Sequence, residues 1–399
     1  MISPGRLLAG WPRRNSSSIC VLVGAATAVA LAIGCGMMNN SPSPMPSGQT
    51  IGFAFVSNSG SGTVSVFAVD SNGAISTVSG SPFPSGAGAE FMAFDPVHKL
   101  LFINNQTANS LSAFSVNTST GMLTAVASSP FATGSRPTAV AVDPAGRFVF
   151  VANQASSSIG VFGIGTNGSL TPVAGSPFPV SSPYGLSVNA AGTVLYATNF
   201  PDSQVSDLNT VSAFSISSSG SLTPIAGSPF ADANSSSGFA AGIGILADPS
   251  GKFVFVGDHM AESVVPFSVS ADGALAPLSG LPTPATSCGS SCHNNPLRLA
   301  VDPADKFLLS TNVEAGTVSI FGITGGTGLM SLSQATAGTH PFGVAVYPAG
   351  KFDFVVNKSD ASISGFQLNS TTGVLSPLPN FPMTEGQQAP TDIVIVPKM

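Results

Sequence analysis

The chain repeats one short phrase seven times between residues 53 and 366. Each copy is a β-rich run that ends in Asn or Asp, and in six of the seven copies a Phe follows nine residues later. Successive run endings are 45 to 59 residues apart, a spacing that suits one four-stranded propeller blade per repeat better than a two-helix repeat. The run endings are Asn58, Asn105, Asn153, Asn199, Asp258, Asn312 and Asn357. The sequence therefore predicts an all-β fold, a seven-bladed β-propeller of four-stranded blades.

Each repeat has the same internal order of turns and strands. An alternating apolar stretch before the run closes with Asp-Pro-x-Gly, as at Asp143–Gly146, which is the residue pattern of a type I turn. A third strand and a Gly-containing hairpin turn such as Ser71-Asn72-Gly73 follow the run. A last short strand then leads into Ser-Pro-Phe, where Pro suits an outer edge because it has no backbone N–H to donate.

The two ends of the repeat region predict how the ring closes. The first blade opens directly at its second strand, Phe53 to Asn58, with no inner strand before it. The last residues, Thr391 to Pro397, reproduce an inner strand with no blade after them. We expect this terminal strand to complete blade one, which leaves no open sheet edge at the join. Residues 52–397 then form one domain.

Composition limits the partners of this domain. Only 8% of the residues are charged and the formal net charge is -6. Residues 1–34 contain Arg6, Arg13, Arg14 and no acid, so their removal makes the charge -9. A surface of that sign does not attract phosphate backbones, and we expect no nucleic-acid partner. We expect a monomer.

The N-terminus has the features of an export signal. Three Arg precede an apolar segment of 16 residues, Ile19 to Gly34, which is short for a transmembrane helix. The segment ends at Gly34-Cys35, which resembles a bacterial lipobox. We therefore interpret residues 1–34 as a lipoprotein signal peptide, Cys35 as the lipidated residue and 35–51 as a flexible tether. The predicted location is the bacterial cell envelope, with the lipid as the only membrane contact.

Two cysteines remain in the folded domain, Cys288 and Cys292. We predict a disulfide between them, because an exported protein folds in an oxidising compartment. A metal pair would need more ligands than His293 supplies, and the string has one residue too many for the C-x-x-C-H haem pattern. No metal and no cofactor are expected.

In a propeller, function normally lies on the face where the loops between blades meet the turns that follow the second strands. The short polar side chain at the end of each second strand is interpreted as structural, because such residues cap turns. The polar residues expected on this face are Glu90, Arg136, Tyr184, His293, Asn294, Asn295, Arg298, His340, Asp392, Asp202, Asp207, Asp258, His259, Glu262, Glu314, Lys358 and Asp360.

The phrases VDPAGRFVFVAN and ADPSGKFVFV, each followed by a third strand and a G-x-L-type strand, resemble the seven-bladed lactonase family that includes 6-phosphogluconolactonase, and also the YVTN repeats. The resemblance spans residues 52–397. It implies a lactonase active site of His, Arg and Glu, but the matching positions here hold other residues. Tyr184 and Leu186 stand at two His positions, Leu297 at an Arg position and His259 at a Glu position.

Two functions therefore fit the sequence. One is an envelope-anchored binding or scaffold protein with degenerate catalytic residues, which recognises a small molecule or an envelope partner at the channel face. The other is a hydrolase of a sugar lactone with a non-standard site. Such chemistry needs a base and oxyanion donors, and the candidates for it are Asp258, His259, Glu262, Arg298 and His340.

Overall fold

The computed structural model describes residues 48–200, 210–231, 242–258, 262–278, 296–325, 328–384 and 386–399. Strands joined by turns make up these ranges, and they form seven antiparallel sheets. Nowhere in the described ranges is there a helix with the length and apolar character of a membrane span. The predicted signal peptide, Cys35, Cys288 and Cys292 all lie outside the described residues.

Each sheet is one blade, with four strands arranged side by side from the centre of the ring outward, and four of the sheets have a fifth strand of two residues that pairs with the third strand. The innermost strands, from blade two round to blade one, are Ala89–Asp95, Pro137–Val142, Pro183–Val188, Gly242–Ala247, Pro296–Val301, Pro341–Val346 and Pro390–Pro397. The second strands, from blade one to blade seven, are Thr50–Asn58, Leu100–Asn105, Phe148–Asn153, Val194–Asn199, Phe253–Asp258, Phe307–Asn312 and Phe352–Asn357.

The outer half of each blade is a hairpin. The third strands are Thr63–Asp70, Ser110–Val116, Ser158–Ile164, Thr210–Ile216, Ser263–Val269, Thr317–Thr324 and Ser362–Leu368. The outer strands are Ile75–Thr77, Leu123–Ala125, Leu170–Pro172, Leu222–Pro224, Leu275–Pro277, Gly328–Thr336 and Leu375–Pro377. The seven four-stranded blades confirm the predicted propeller.

The terminal strand closes the ring as the sequence predicts. Pro390–Pro397 pairs antiparallel with Thr50–Asn58, with Phe53 opposite Val396 and Phe55 opposite Val394. The innermost strands then follow one another in a closed circle, because blade one takes its inner strand from the C-terminus and the other six blades take theirs from the preceding loop.

The core lies between neighbouring blades rather than inside any one of them. Successive side chains of a strand point to opposite sheet faces. In the first blade, Phe55 therefore packs toward blade two, whereas Ala54 and Val56 pack toward blade seven. Seven such apolar clusters alternate with the seven blades. This two-sided burial explains the nearly continuous apolar runs of the second strands.

The Asp-Pro-x-Gly turns have the geometry that their residues predict. The backbone N–H of Gly146 donates to the Asp143 carbonyl oxygen at 2.8 Å, and Gly146 has a φ of 68°. The Asp143 side chain accepts a hydrogen bond from the Ala145 N–H at 3.2 Å. These turns reverse the chain from the innermost strand into the second strand.

The Ser-Pro-Phe phrase differs from the expected end of an outer strand. In blade one the outer strand ends at Thr77, and Phe83–Pro84 forms a separate short strand that pairs with the third strand. The Ser81 hydroxyl accepts a hydrogen bond from the Val66 N–H at 2.8 Å. Serine thus replaces a backbone acceptor where the outer strand has ended. Equivalent bonds form in three further blades.

Candidate functional site

In five of the seven blades, the Asn that ends the second strand links it to the third strand of the same blade. Asn312 donates through Nδ2 to the hydroxyls of Thr317 at 3.0 Å and Ser319 at 2.8 Å, both on the third strand. The same pair of bonds, to the residues five and seven positions on, recurs at Asn58, Asn105 and Asn357. Asn199 makes the equivalent pair to Thr210 and Ser212, eleven and thirteen positions on, because the loop that follows it is longer. These amides therefore have a structural role, as the sequence suggests, but they bridge to the third strand as well as serving the turn.

All seven innermost strands have a register shift directly after their first residue. In blade two, Ala89 lies opposite Asn105 and Met92 lies opposite Ile103, so Glu90 and Phe91 share one partner residue. Bulges of this kind re-aim side chains and are frequent beside functional sites. A functional site is therefore expected at the second and third residues of the innermost strands.

Polar side chains on the second strands fix these bulges. Thr311 accepts a hydrogen bond from the Arg298 N–H at 3.1 Å and donates to the Phe342 carbonyl oxygen of the next blade at 2.9 Å. Thr198 accepts from the Gly185 N–H at 2.8 Å in the same way. Ser57 donates to the carbonyl oxygen of Glu90. Each such side chain fixes the second residue of the following inner strand.

Arg298 reaches from blade six to blades one and two. Its Nη2 donates to Asp392 Oδ2 at 2.8 Å, and its guanidinium carbon lies 4.2 Å from the centre of the Phe91 ring. The inner strand of blade seven lies between them in sequence order and has Gly343 at the equivalent position, where a Cβ atom would lie only 2.8 Å from Asp392 Cα. The missing side chain at Gly343 thus allows the close approach of these blades.

Asp392 is held on several sides. It is 3% exposed, its Oδ2 also accepts a hydrogen bond from the Met92 N–H at 2.9 Å, and its own N–H donates to the Ser57 hydroxyl at 3.1 Å. The carboxylate therefore joins the inner strands of blades one, two and six at the centre of the ring.

Glu90 is a buried carboxyl group beside this junction. It is 9% exposed, and its Oε2 accepts a hydrogen bond from Gln106 Nε2 at 2.7 Å. Burial raises the pKa of Glu90 from 4.5 to about 7, although the positive charges of Lys358, Arg298 and Arg136 favour the ionised form. A carboxyl group with this pKa exchanges a proton with water readily at neutral pH.

Two of these cations come from loops of other blades, Lys358 from blade seven and Arg136 from blade three. Lys358 follows the second strand of blade seven, and its Nζ lies 4.2 Å from the centre of the Phe342 ring. Its backbone N–H donates to the His340 carbonyl oxygen at 2.9 Å. Arg136 precedes the inner strand of blade three, is exposed, and accepts a hydrogen bond through its carbonyl from the Gln154 N–H at 3.0 Å.

At the position of Glu90, the second residue of the inner strand, blades four to six have one aromatic and two aliphatic side chains. Tyr184 contacts Phe200 edge to face, with ring centres 5.6 Å apart. Ile243 and Leu297 occupy the same inner-strand position in blades five and six. Glu90 is therefore matched in these three blades by aromatic or aliphatic side chains, whereas the charge of blade six comes from the next residue, Arg298.

The structure places the predicted candidates in different blades. Asp258 ends the second strand of blade five and Glu262 directly precedes its third strand, while His259 lies outside the described residues. Arg298 bonds to Asp392, and the His340 Nδ1 lies 2.6 Å from the Ser359 hydroxyl. The catalytic roles given to these residues stay predictions.

Glu90, Asp392 and Lys358 were expected on this face but were not chosen as catalytic candidates. The signal in the sequence was position, since Glu90 is the only acidic residue at the second position of any inner strand. The residues around Glu90 come from distant parts of the chain. Met92, on the same strand as Glu90, donates a hydrogen bond to Asp392, which is 300 residues away in the sequence. In the part of the chain that the structure describes, no three His, Cys, Asp or Glu side chains gather as a metal site.

The comparisons with known proteins agree with this architecture. The family model "Lactonase, 7-bladed beta-propeller" matches residues 45–208 and 207–341. No curated protein sequence is similar enough to match this chain.

Solved structures share the fold at low identity. A candidate 6-phosphogluconolactonase of Bacteroides uniformis has a TM-score of 0.73 and 19% identity, covering 87% of this chain and 100% of its own. The periplasmic gluconolactonase of Pseudomonas aeruginosa has a TM-score of 0.70 and 16% identity, covering 88% and 100%. Both likenesses concern the fold. Because the family model covers well over half of the chain, this protein belongs to the seven-bladed β-propeller lactonase family.

Proposed function

We propose that this protein hydrolyses a lactone and that Glu90 is the general base. One observation supports the proposal above the others. Glu90 is a buried carboxyl group with a pKa of about 7, held by Gln106 among cations at the centre of the ring. General bases work best when their pKa lies near the operating pH.

The reaction needs only water and the ring-closed ester. The Glu90 carboxylate takes a proton from water while the water oxygen bonds to the lactone carbonyl carbon, and the carbonyl electron pair moves onto its oxygen. The tetrahedral intermediate then collapses, the ring C–O bond breaks, and the leaving alkoxide takes the proton from Glu90. The product is the open hydroxy acid, and Glu90 returns to its ionised form.

Lys358 is suited to stabilise the negative charge that develops on the carbonyl oxygen. Its charge acts on Glu90, and its ammonium group is held over the Phe342 ring instead of in a described ion pair. Fixed positive charge near a developing oxyanion lowers the barrier most when water is excluded. Arg298 has a different role, because its charge is largely neutralised by Asp392. We assign Arg298 to positioning the inner strands of blades one, two and six.

Replacement of Glu90 tests the base. Purified protein should release acid from a lactone in a pH-stat, and Glu90→Gln should lower the rate by about 10²- to 10⁴-fold. Glu314→Gln is the matched control, because Glu314 is an exposed carboxylate after the second strand of blade six. Equal turnover by Glu90→Gln and the wild type would contradict the assignment.

A binding role without turnover is the second candidate function. The Arg298–Asp392 bond favours it, because it occupies the one arginine on the innermost strands of the described chain. Under this hypothesis a lactone or hydroxy acid binds at the centre of the ring and leaves unchanged. Calorimetric binding of a lactone with no acid release would favour the binding protein over the hydrolase.

We further propose that the protein is anchored in the cell envelope through lipid on Cys35 and acts there as a monomer. The basic, apolar and small-residue order of residues 1–35 supports this location. Cys35→Ser should move the protein out of the detergent-extracted membrane fraction or leave it uncleaved. Wild-type chain of full length in the soluble fraction would contradict the anchor.

A further inference from the structure

In three blades, the residue that directly follows the second strand contacts the second residue of the inner strand of the same blade. In blade two this contact is a hydrogen bond, which Gln106 Nε2 donates to Glu90 Oε2 at 2.7 Å. In blades four and seven it involves an aromatic ring. The three pairs are Glu90–Gln106, Tyr184–Phe200 and Phe342–Lys358. The two members are sixteen residues apart in every pair, so the pairing is a property of the repeat.

A backbone hydrogen bond supports the pairing in each of these blades. The N–H of Gln106 donates to the carbonyl oxygen of Gly88, the residue before the inner strand, at 2.8 Å. The equivalent bonds of the other two blades run from Phe200 to Ser182 at 2.8 Å and from Lys358 to His340 at 2.9 Å. The backbone of Gln106 is therefore fixed beside the start of the inner strand. Its amide loses less freedom on bonding to Glu90 than it would on a flexible loop.

The amide of Gln106 stabilises one protonation state of Glu90. An ionised carboxylate only accepts hydrogen bonds, so the Nε2 donor at 2.7 Å matches the ionised form. Within the described chain, Gln106 is the one side chain that hydrogen-bonds to the Glu90 carboxyl group. A hydrogen bond that is donated to the charged form favours ionisation, and it therefore opposes the effect of burial.

Charged side chains of four other blades also act on Glu90. Burial has the largest effect and raises the pKa of Glu90 to about 7. The charged groups are Lys358, Arg298 and Arg136, which lower the pKa, and Asp392, which raises it. These four groups act through their charge, whereas Gln106 acts through a direct hydrogen bond. Loss of the amide donor would therefore leave the buried carboxyl group with charge interactions alone.

We propose that Gln106 is the positioning residue of Glu90, which it holds through Oε2 so that Oε1 is the oxygen that exchanges the proton. This proposal rests on the function assigned to Glu90, and it adds which oxygen reacts and what keeps the base ionised. Because Oε2 already accepts the amide N–H, the proton that the carboxylate takes from water is added to Oε1. The same proton leaves from Oε1 when the ring C–O bond has broken.

Carbon-13 NMR of labelled glutamate carboxyl groups measures the ionisation of Glu90 without requiring turnover. The whole chain contains only four Glu residues, and the Glu90 signal is the one that Glu90→Gln removes. In the wild-type protein this signal should titrate with a midpoint near pH 7, because burial raises the pKa of Glu90 to about 7. In Gln106→Met, which has a side chain of similar length without a donor, the midpoint should rise by about one pH unit.

Gln154 provides the matched control. It follows the second strand of blade three, as Gln106 does in blade two, but its Nε2 donates to the Phe200 carbonyl oxygen at 2.9 Å. Gln154→Met should therefore leave the Glu90 midpoint unchanged. Gln106→Glu is a second variant, in which two adjacent carboxyl groups should give one midpoint above that of the wild type. A Glu90 midpoint in Gln106→Met that is no higher than in the wild type, or an equal rise in Gln154→Met, would overturn the proposal.

Hydrolysis of δ-valerolactone and glucono-δ-lactone is measured separately in a pH-stat. The pH at which kcat/KM levels off should move upward in Gln106→Met together with the NMR midpoint. Wild-type protein that opens neither lactone, while Gln106→Met still raises the midpoint, would contradict the hydrolase and support the control of Glu90 by Gln106. Turnover with the same pH dependence in Gln106→Met and the wild type would support a hydrolase and overturn the positioning role.

Discussion

Asp353 is an ionisable side chain buried in the second strand of blade seven, where other blades have an apolar residue. Its replacement should stabilise the protein. The second strands of blades two, four and six have Leu101, Leu195 and Leu308 at the equivalent position, each packed against the preceding blade. Asp353 is 0% exposed, and neither of its carboxyl oxygens has a hydrogen-bond partner among the described residues. Burial, and to a lesser extent the nearby Asp302, raises the pKa of Asp353 from 3.8 to about 8.

The pKa shift sets both the size and the pH dependence of the effect. The folded protein holds a proton on Asp353 that the unfolded chain releases above about pH 4. The contribution of Asp353 to the free energy of unfolding is therefore most favourable below about pH 4. It falls by about 1.4 kcal/mol per pH unit until the pH reaches about 8, where it levels off. At pH 7 the free energy of unfolding is therefore about 4 kcal/mol lower than it would be below pH 4, as far as Asp353 determines it.

Two variants separate the charge from the packing. Asp353→Asn removes the ionisation at nearly constant volume, so its stability advantage over the wild type should grow from pH 5 to pH 8. Asp353→Leu, the residue of three other blades, should add a gain from apolar burial that does not depend on pH. Urea unfolding followed by circular dichroism at both pH values gives the comparison. A difference between wild type and Asp353→Asn that does not change with pH would refute the reasoning.

Three further predictions concern the ring and its loops. Deletion of residues 391–399 should cause aggregation or lower the free energy of unfolding by at least about 3–6 kcal/mol, because Ile393 and Val396 are 3% and 0% exposed. An unchanged melting temperature would contradict closure of the ring by this strand. Arg298→Met should destabilise the protein by about 2 kcal/mol because it leaves the Asp392 carboxylate buried without its cation. Adding Asp392→Leu should recover part of that loss in thermal melts, and full additivity would contradict the pairing. Cys288 and Cys292 should both resist alkylation without reductant in mass spectrometry, and two labelled thiols would mean that no disulfide exists.

The fold could be predicted from the sequence because it depends on local and repeated features. In four of the blades the Asn that ends the second strand, as at Asn312, bonds to hydroxyls only five and seven residues away. The ring closure was readable from the orphan strand after Thr391, because it repeats the pattern of the other inner strands. Each of these features can be recognised within one repeat of the sequence, or by comparing one repeat with another.

The candidate site was harder to predict because its parts come from different blades. Nothing near Glu90 in the sequence indicates that Lys358 and Arg298 lie near it, or that burial shifts its pKa. Comparison with the family's catalytic phrases directed attention to Asp258 and His259 instead. The bulge after the first residue of each inner strand was also not predictable from the sequence, although it shifts the register of the residues that follow it.

The pH dependence of lactone opening tests the assignment of Glu90 most directly. For wild-type protein, kcat/KM for a lactone should rise about tenfold per pH unit below pH 7 and level off above it. This follows because the base is active only when ionised and burial raises the pKa of Glu90 to about 7. Glu90→Gln should show a low rate without this inflection. A wild-type profile that is flat between about pH 5 and pH 8, or the same inflection in Glu90→Gln, would contradict the account.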